Sequence, residues 1–190
     1  MDRYYTIDIK ARLQPLYREE LFEEPLEKIF EAKGIGRLDG GGTLQAANGE
    51  IESCDISFIA DEKHHEEILK ILSAMAVMLP KGSMLVWQNN DENDDGYEEI
   101  PIGNCEGMGI YLNGTELPEE VYRECDVNFV ISELIRLMGE EYYYFSFHEG
   151  AEETALYFYG TDFGKMAAAS AEFISSYPLC GKCRIVKLTD

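Results

Sequence analysis

The sequence is short of positive charge and of long apolar runs, and each shortage excludes a class of partner. Only 16 Lys and Arg stand against 37 Asp and Glu, which gives a formal net charge of −21. Such a field repels phosphate backbones and anionic membrane surfaces, so neither nucleic acid nor a membrane is an expected partner. No run approaches the ~20 apolar residues that a membrane-spanning helix needs, and the first residues lack an apolar signal core. We therefore expect a cytoplasmic protein.

The cysteines lack the pattern of a disulfide framework. The five cysteines are odd in number and scattered along the chain, which is typical of reduced thiols. Cys180 and Cys183 have the C-x-x-C spacing of a redox pair or of half a zinc site, but no second pair completes four ligands. The pair also follows a predicted helix, whereas a redox pair usually begins one. The sequence predicts a structural turn here, with no metal and no cofactor.

What the chain does contain is material for a packed core, arranged in a recognisable order. Hydrophobic residues make up 45% and aromatic residues 12% of the sequence. "YYTIDIKARL" alternates as a half-buried strand, and the segment from Pro15 to Gly36 has helical spacing with a glycine stop. "EIESCDISFIAD", "HHEEILKILSAMAVMLP" and "SMLVWQ" then read as strand, helix and strand. With a further strand between the first helix and "EIESCDISFIAD", the first half has the order β-α-β-β-α-β.

The second half repeats that order at an offset of roughly 100 residues. Its six segments are predicted as strand, helix, strand, strand, helix and strand: "GMGIYLNG", "VNFVISELIRLMG", "EYYYFSFHEG", "ETALYFYG", "DFGKMAAASAEFISSYP" and "CRIVKL". The pattern predicts an α+β protein made of two ferredoxin-like (βαββαβ) halves that arose by internal duplication and pack as one unit. We place the first half at 1–88, an acidic linker at 89–103 and the second half at 104–190.

The predicted linker, "NNDENDDGYEEIP", has an alternative interpretation as a calcium loop. Asp91, Asn93, Asp95 and Gly96 match the start of an EF-hand loop. The twelfth position is Ile102 instead of a bidentate Glu, and a strand precedes the segment where an EF-hand has a helix. A solvated linker is the better interpretation, with weak calcium binding as the alternative.

The glycine-rich "DGGGT", Asp39 to Thr43, invites a phosphate-loop interpretation. A phosphate loop leads directly into a helix, whereas this segment leads towards a strand. A β-hairpin or a bulge is the better prediction.

The faces of the two predicted sheets that the helices leave open differ sharply. In the first half this face is polar, whereas in the second half "EYYYFSFHE" places aromatic residues on both sides of its strand. We group six residues as a candidate ligand- or partner-binding face: Tyr111, Tyr142, Tyr144, His148, Tyr157 and Tyr159. Packing between the halves, contact with a second copy of the chain, or enclosure of an apolar ligand would each cover it.

The segments "CDVNFVISELIRLMG", "ETALYFYG" and "YPLCGKCRIVKL" resemble the C-terminal half of a group of uncharacterised bacterial proteins, over about the last 85 residues. That resemblance implies no activity. In size and acidity the chain is similar to small immunity proteins that neutralise toxin domains.

Two functional hypotheses follow. The first is a non-catalytic, acidic, protein-binding module of immunity-like type, whose charge steers a basic protein partner and whose tyrosines anchor the contact. The second is a small-molecule-binding protein or enzyme with a tyrosine-lined pocket between the sheets. Asp8, Lys10, Arg12 and Asp55 form a charged set, but no spacing of nucleophile and base identifies catalytic residues. The first hypothesis is favoured on charge.

Overall fold

The computed structural model of the chain describes residues 1–88 and 96–189. The first half contains β1 (Asp2–Ile9), α1 (Pro15–Arg18), a π-helical turn (Glu19–Glu23), α2 (Glu24–Lys33), β2 (Gly36–Gln45), β3 (Ile51–Asp61), a 3₁₀ turn (Glu62–His64), α3 (His65–Met75) and β4 (Met84–Gln88). The rest contains β5 (Tyr97–Pro101), β6 (Glu106–Asn113), α4 (Glu119–Glu124), α5 (Val127–Met138), β7 (Tyr142–Glu149), β8 (Glu153–Gly160), α6 (Phe163–Ser176), a 3₁₀ turn (Pro178–Cys180) and β9 (Arg184–Lys187).

The first half is a ferredoxin-like unit with one buried face. Its strands run β2-β3-β1-β4, and every neighbouring pair is antiparallel. Along β1, buried Tyr5, Ile7 and Ile9 alternate with more exposed Thr6 and Asp8. The predicted polar open face is therefore confirmed, because a strand that alternates buries only one side of its sheet.

The first helical segment is interrupted, and Pro25 explains where. Proline has no N–H to continue the helical ladder, and a π-helical turn ends two residues before it. The turn places Phe22 in the core, fully buried. Gly34, with φ of 63°, ends α2 in the left-handed conformation that glycine adopts without strain.

The second half has the same strand order but is buried on both faces. Its sheet runs β7-β8-β6-β9, again antiparallel throughout. The central strands β6 and β8 are buried without alternation over 107–112 and 155–160. The helices of this half cover one face, with Met108, Leu134 and Phe158 among the residues of that core. The α+β fold of two ferredoxin-like halves is thus present in the structure.

The predicted linker is only partly a connector. Tyr97–Pro101 forms β5, which pairs with β4 and extends the first sheet to five strands. Its side chains are largely exposed, so it lacked the apolar alternation by which a strand is recognised. The remaining linker residues before Gly96 lie outside the described residues, as does most of the calcium-loop match.

The two halves share one core. A single hydrophobic cluster joins the helix-covered face of the first sheet, represented by Ile7, Phe58 and Leu85, to the open face of the second sheet. Tyr157 and Tyr159 belong to this cluster. The second sheet therefore has its open face covered by the first half.

Candidate functional site on the two faces of the second sheet

A β-bulge at Phe145 divides the six candidate residues between the two faces. Strand β7 pairs in register with β8 through Tyr144, and pairing resumes at Ser146 with Phe145 as the extra residue. A bulge shifts the alternation by one position, so residues on either side of it exchange faces. The expectation that Tyr142 and Tyr144 share a side with His148 is therefore wrong.

The inner face, which meets the first half, carries four of the six residues. Tyr111, His148, Tyr157 and Tyr159 lie on it, by their pairing positions on β6, β7 and β8. Tyr111, Tyr157 and Tyr159 are at most 5% exposed. They are covered by the first half, so they are not free anchors for a partner protein.

Hydrogen bonds fix the first half against this face. The hydroxyl of Tyr159 accepts from the Arg12 backbone N–H at 3.0 Å, and the hydroxyl of Ser146 donates to the Arg12 carbonyl. The Gln14 side chain donates to the carbonyl of Phe147 at 2.6 Å. The loop that follows β1 is therefore held along β7 and β8 by the backbone groups of Arg12 and the side chain of Gln14.

A carboxylate of the first half, that of Glu50, also contacts this face. Glu50, at the tip of the β2–β3 hairpin, accepts hydrogen bonds from the hydroxyls of Tyr111 at 2.6 Å and Tyr157 at 2.5 Å. It also forms an ion pair with Arg12, whose guanidinium lies 5.5 Å from the centre of the Tyr157 ring. Four side chains from both halves thus form one network, which we call the Glu50 cluster.

The pKa shifts in the Glu50 cluster keep the carboxyl group ionised and the two tyrosines protonated, as in a structural ion pair. Burial alone would raise the pKa of Glu50, but hydrogen bonds from Tyr111 and Tyr157 and the charge of Arg12 hold it below its ordinary value. Burial, and then hydrogen bonding to Glu50, raise the pKa of both tyrosines. Glu50 stays ionised and the tyrosines stay protonated at neutral pH. The cluster therefore offers no poised acid or base.

His148 lies between two clefts beside the loop that joins β2 and β3. One, of about 420 Å³, includes Gln14, Gly49 and Tyr157 in its lining. The other, of about 400 Å³, is bounded by Glu50, Tyr111 and Arg184, and Arg184 lies 3.6 Å above the Tyr111 ring. Arg184 is already paired with Glu153 at 2.7 Å. Both clefts lie at the edge of the contact between the halves, and each is lined by residues of both.

The outer face carries a depression with mainly apolar walls. This groove, of about 420 Å³, lies between α1, the first turn of α5 and the ends of β6, β7 and β8. Its rings are those of Tyr17, Tyr122, Tyr144 and Phe147, and its aliphatic side chains are Leu112, Val127, Ile131, Leu156 and Leu179. Its polar side chains are Asn113, Asn128, Glu149 and Thr154. We call it the tyrosine groove.

Tyr17 closes the tyrosine groove from the first half. Its ring meets those of Tyr144 and Phe147 edge-on, with ring centres 6.5 Å and 6.4 Å away. Burial, and then the neighbouring Tyr17, raise the pKa of Tyr144. Within residues 1–88 and 96–189, the hydroxyls of Tyr17 and Tyr144 have no hydrogen-bond partner. The groove thus combines apolar walls with two available hydroxyls.

Of the six sequence candidates only Tyr144 lines this groove, while Tyr142 lies on the same face and its hydroxyl accepts from Thr161 at 3.3 Å. Sequence reasoning missed Tyr17 and Glu50, which reach the second half from far along the chain. The only available signal for Tyr17 was an aromatic residue on the short helix that begins at Pro15.

The remaining candidate motifs are structural. Asp8 and Asp55 are cross-strand partners, Asp8 pairs with Lys10 at 2.7 Å and Asp55 accepts from the Gly42 N–H at 3.2 Å. Arg12 pairs with Glu50 instead, so the four charged residues do not form one cluster. The "DGGGT" segment lies inside β2 and contains a register shift after Leu38, as the bulge interpretation predicts. No group of three His, Cys, Asp or Glu in the described part of the chain is arranged to hold a metal ion.

The C-x-x-C pair lies in the turn between α6 and β9, as the sequence predicts. The 3₁₀ turn ends at Cys180, whose carbonyl accepts from the Cys183 N–H at 3.2 Å. Burial, followed by the neighbouring Cys183 and Cys125, raises the pKa of Cys180 to about 12. A thiol with that pKa is a poor nucleophile, so the turn is not an activated redox pair.

Comparisons with known proteins give no functional assignment. No family model matches the chain, and no curated protein matches it. Among solved structures, the first two RRM domains of the poly(U)-binding protein of yeast align with 99% of both chains at 10% identity and a TM-score of 0.26. A likeness that weak carries no argument about function. Over residues 1–88 and 96–189, no helix is long and apolar enough to cross a membrane.

Proposed function

We propose that the chain is a non-catalytic binding protein whose small-molecule ligand occupies the tyrosine groove. The observation that carries this proposal is the groove itself, about 420 Å³ of mainly apolar space with the hydroxyls of Tyr17 and Tyr144 unpartnered in the described chain. Ligand sites commonly measure ~300–1,000 Å³ and combine apolar walls with a few polar groups. The groove meets both conditions.

The absence of catalysis rests on the chemistry of the charged side chains. The Glu50 cluster has its acceptors occupied, and Tyr144 is held protonated by burial. No described side chain in the groove is a nucleophile paired with a base. Binding without turnover is the function that this geometry supports.

A neutral, environment-sensitive dye tests the proposal. N-phenyl-1-naphthylamine is expected to bind with a rise in fluorescence, and Asn128→Trp, which puts a large side chain at the groove, is expected to reduce that binding. Ser132→Trp is the matched control, because Ser132 is exposed one turn further along α5 and does not line the groove. Equal dye binding by the wild type and both variants would show that the groove is not the site.

A protein-binding role has separate support from β5. This strand ends the first sheet, and it carries exposed Tyr97, Glu98 and Glu99. A free strand edge can pair with an added strand, and the carboxylates favour a basic strand over a second copy of this acidic chain. A labelled peptide of alternating Lys and Val is expected to bind and to lose binding in Glu98→Lys/Glu99→Lys. If the anisotropy of that peptide is the same with both proteins, β5 is not the docking strand.

A further inference from the structure

The tyrosine groove contains one charged side chain, and it is negative. Glu149 lies at the end of β7, and no Lys, Arg or His is among the described residues that line the groove. Glu149 is exposed and forms no ion pair within residues 1–88 and 96–189. A ligand carboxylate or phosphate would find no counter-charge here.

The groove is also rich in aromatic rings. Tyr17, Tyr122, Tyr144 and Phe147 all line it. The faces of aromatic rings carry partial negative charge and attract a cation within ~6 Å of the ring centre. Rings together with an unpaired carboxylate are the two kinds of group that recognise an ammonium ion attached to an apolar body.

The first turn of α5 is the feature that would favour an anion instead. Val127 and Asn128 line the groove, and the start of a helix is electropositive. The Asp126 carboxylate already occupies that position, since it accepts from the Asn128 backbone N–H at 2.8 Å and from its side-chain amide at 3.1 Å. The helix start is therefore neutralised within the chain.

From these three observations we propose that the ligand of the tyrosine groove is an organic cation, an apolar amine or quaternary ammonium compound. This inference rests on the proposed function and specifies its ligand class. The net charge of −21 acts in the same direction, because it concentrates cations near the surface and repels anions.

The test compares three phenylalkyl probes of one shape by calorimetry with the full chain. One ends in trimethylammonium, one in the neutral tert-butyl group and one in carboxylate. The ammonium probe is expected to bind at least about fivefold more tightly than the tert-butyl probe, as a cation over aromatic faces should. The carboxylate probe is expected to bind most weakly. The ammonium preference should fall as salt is raised from ~0.01 M to ~1 M.

Two variants assign the preference to the groove. Glu149→Gln should weaken the ammonium probe about threefold and leave the tert-butyl probe unchanged, as for an exposed ion pair. Glu152→Gln is its control, because Glu152 is exposed nearby and lines a different cleft. Tyr144→Leu should reduce the ammonium preference while retaining apolar contact, and circular dichroism checks that it folds.

Each outcome bears on a different statement. Equal affinity for the ammonium and tert-butyl probes, with dye binding still lost in Asn128→Trp, would overturn the cation inference and leave the groove as a ligand site. Binding of none of the probes would also overturn the inference. If, in addition, the wild type and Asn128→Trp bind the dye with equal affinity, the proposed function fails as well.

Discussion

The two sheets have the same strand order and opposite surroundings. In the first, β1 alternates buried and partly exposed residues, and Thr6 and Asp8 lie on its open face. In the second, β6 and β8 are buried on both sides. One topology thus serves as an outer layer in one half and as a central layer in the other, and the composition of the open face decides which.

The first prediction compares one aromatic residue from each open face. Phe145→Ala removes a fully buried ring that packs against Phe22 and Tyr159. It should lower the free energy of unfolding by ~3–5 kcal/mol, the usual cost of truncating a buried aromatic residue. Tyr4→Ala, at a position 57% exposed on the first sheet, should cost less than about 1 kcal/mol. Chemical denaturation measures both, and equal losses would remove the distinction between the faces.

The second prediction concerns the Glu50 cluster. Glu50→Gln leaves Arg12 half-buried without its carboxylate and weakens two hydrogen bonds, so it should cost ~2 kcal/mol. Glu52→Gln, at an exposed position two residues along the same hairpin, should change stability by less than about 0.5 kcal/mol. Matching losses in the two variants would show that the cluster does not hold the halves together.

The same variant has a pH dependence of known sign. The folded pKa of Glu50 lies below its ordinary value of 4.5, so its contribution to stability is present above pH 4.5 and is lost as pH falls through the lower folded value. The difference in unfolding free energy between wild type and Glu50→Gln should therefore be constant near neutral pH and shrink below pH 4.5. Denaturation at a series of pH values measures it, and a difference that grows on acidification would contradict the assignment.

The third and smallest prediction compares two serines. Ser146→Ala removes the hydroxyl that donates to the Arg12 carbonyl across the contact between the halves, and should cost ~1 kcal/mol. Ser57→Ala, on the open face of the first sheet, loses only a 3.2 Å contact with the Thr6 hydroxyl near solvent and should cost less. A larger loss at Ser57 than at Ser146 would contradict the ranking of the two faces.

The sequence predicts the order of helices and strands along the chain, and which sheet face is polar or aromatic, because both depend on local patterns. The alternation in β1, the glycine that ends α2 and the aromatic strands of the second half all have such patterns. The strand β5 was missed because "YEEIP" is largely exposed. A strand without a buried face has no alternation of apolar and polar residues by which to recognise it.

The site was less predictable because it depends on one extra residue and on distant partners. A bulge at Phe145 leaves no mark in an unbroken aromatic run, yet it moves Tyr142 and Tyr144 to the opposite face from His148. Glu50 meets Tyr157 across 107 positions of sequence, and Tyr17 likewise reaches the groove from the other half. Single-sequence periodicity contains no information about such pairings.

Phe147 belongs both to the tyrosine groove and to the contact between the two halves. Its ring lines the tyrosine groove, and its carbonyl accepts the Gln14 amide that helps to hold the first half in place. The groove and the contact between the halves therefore share one residue, so a substitution of Phe147 is expected to change both the lining of the groove and its edge-on contact with Tyr17 of the first half.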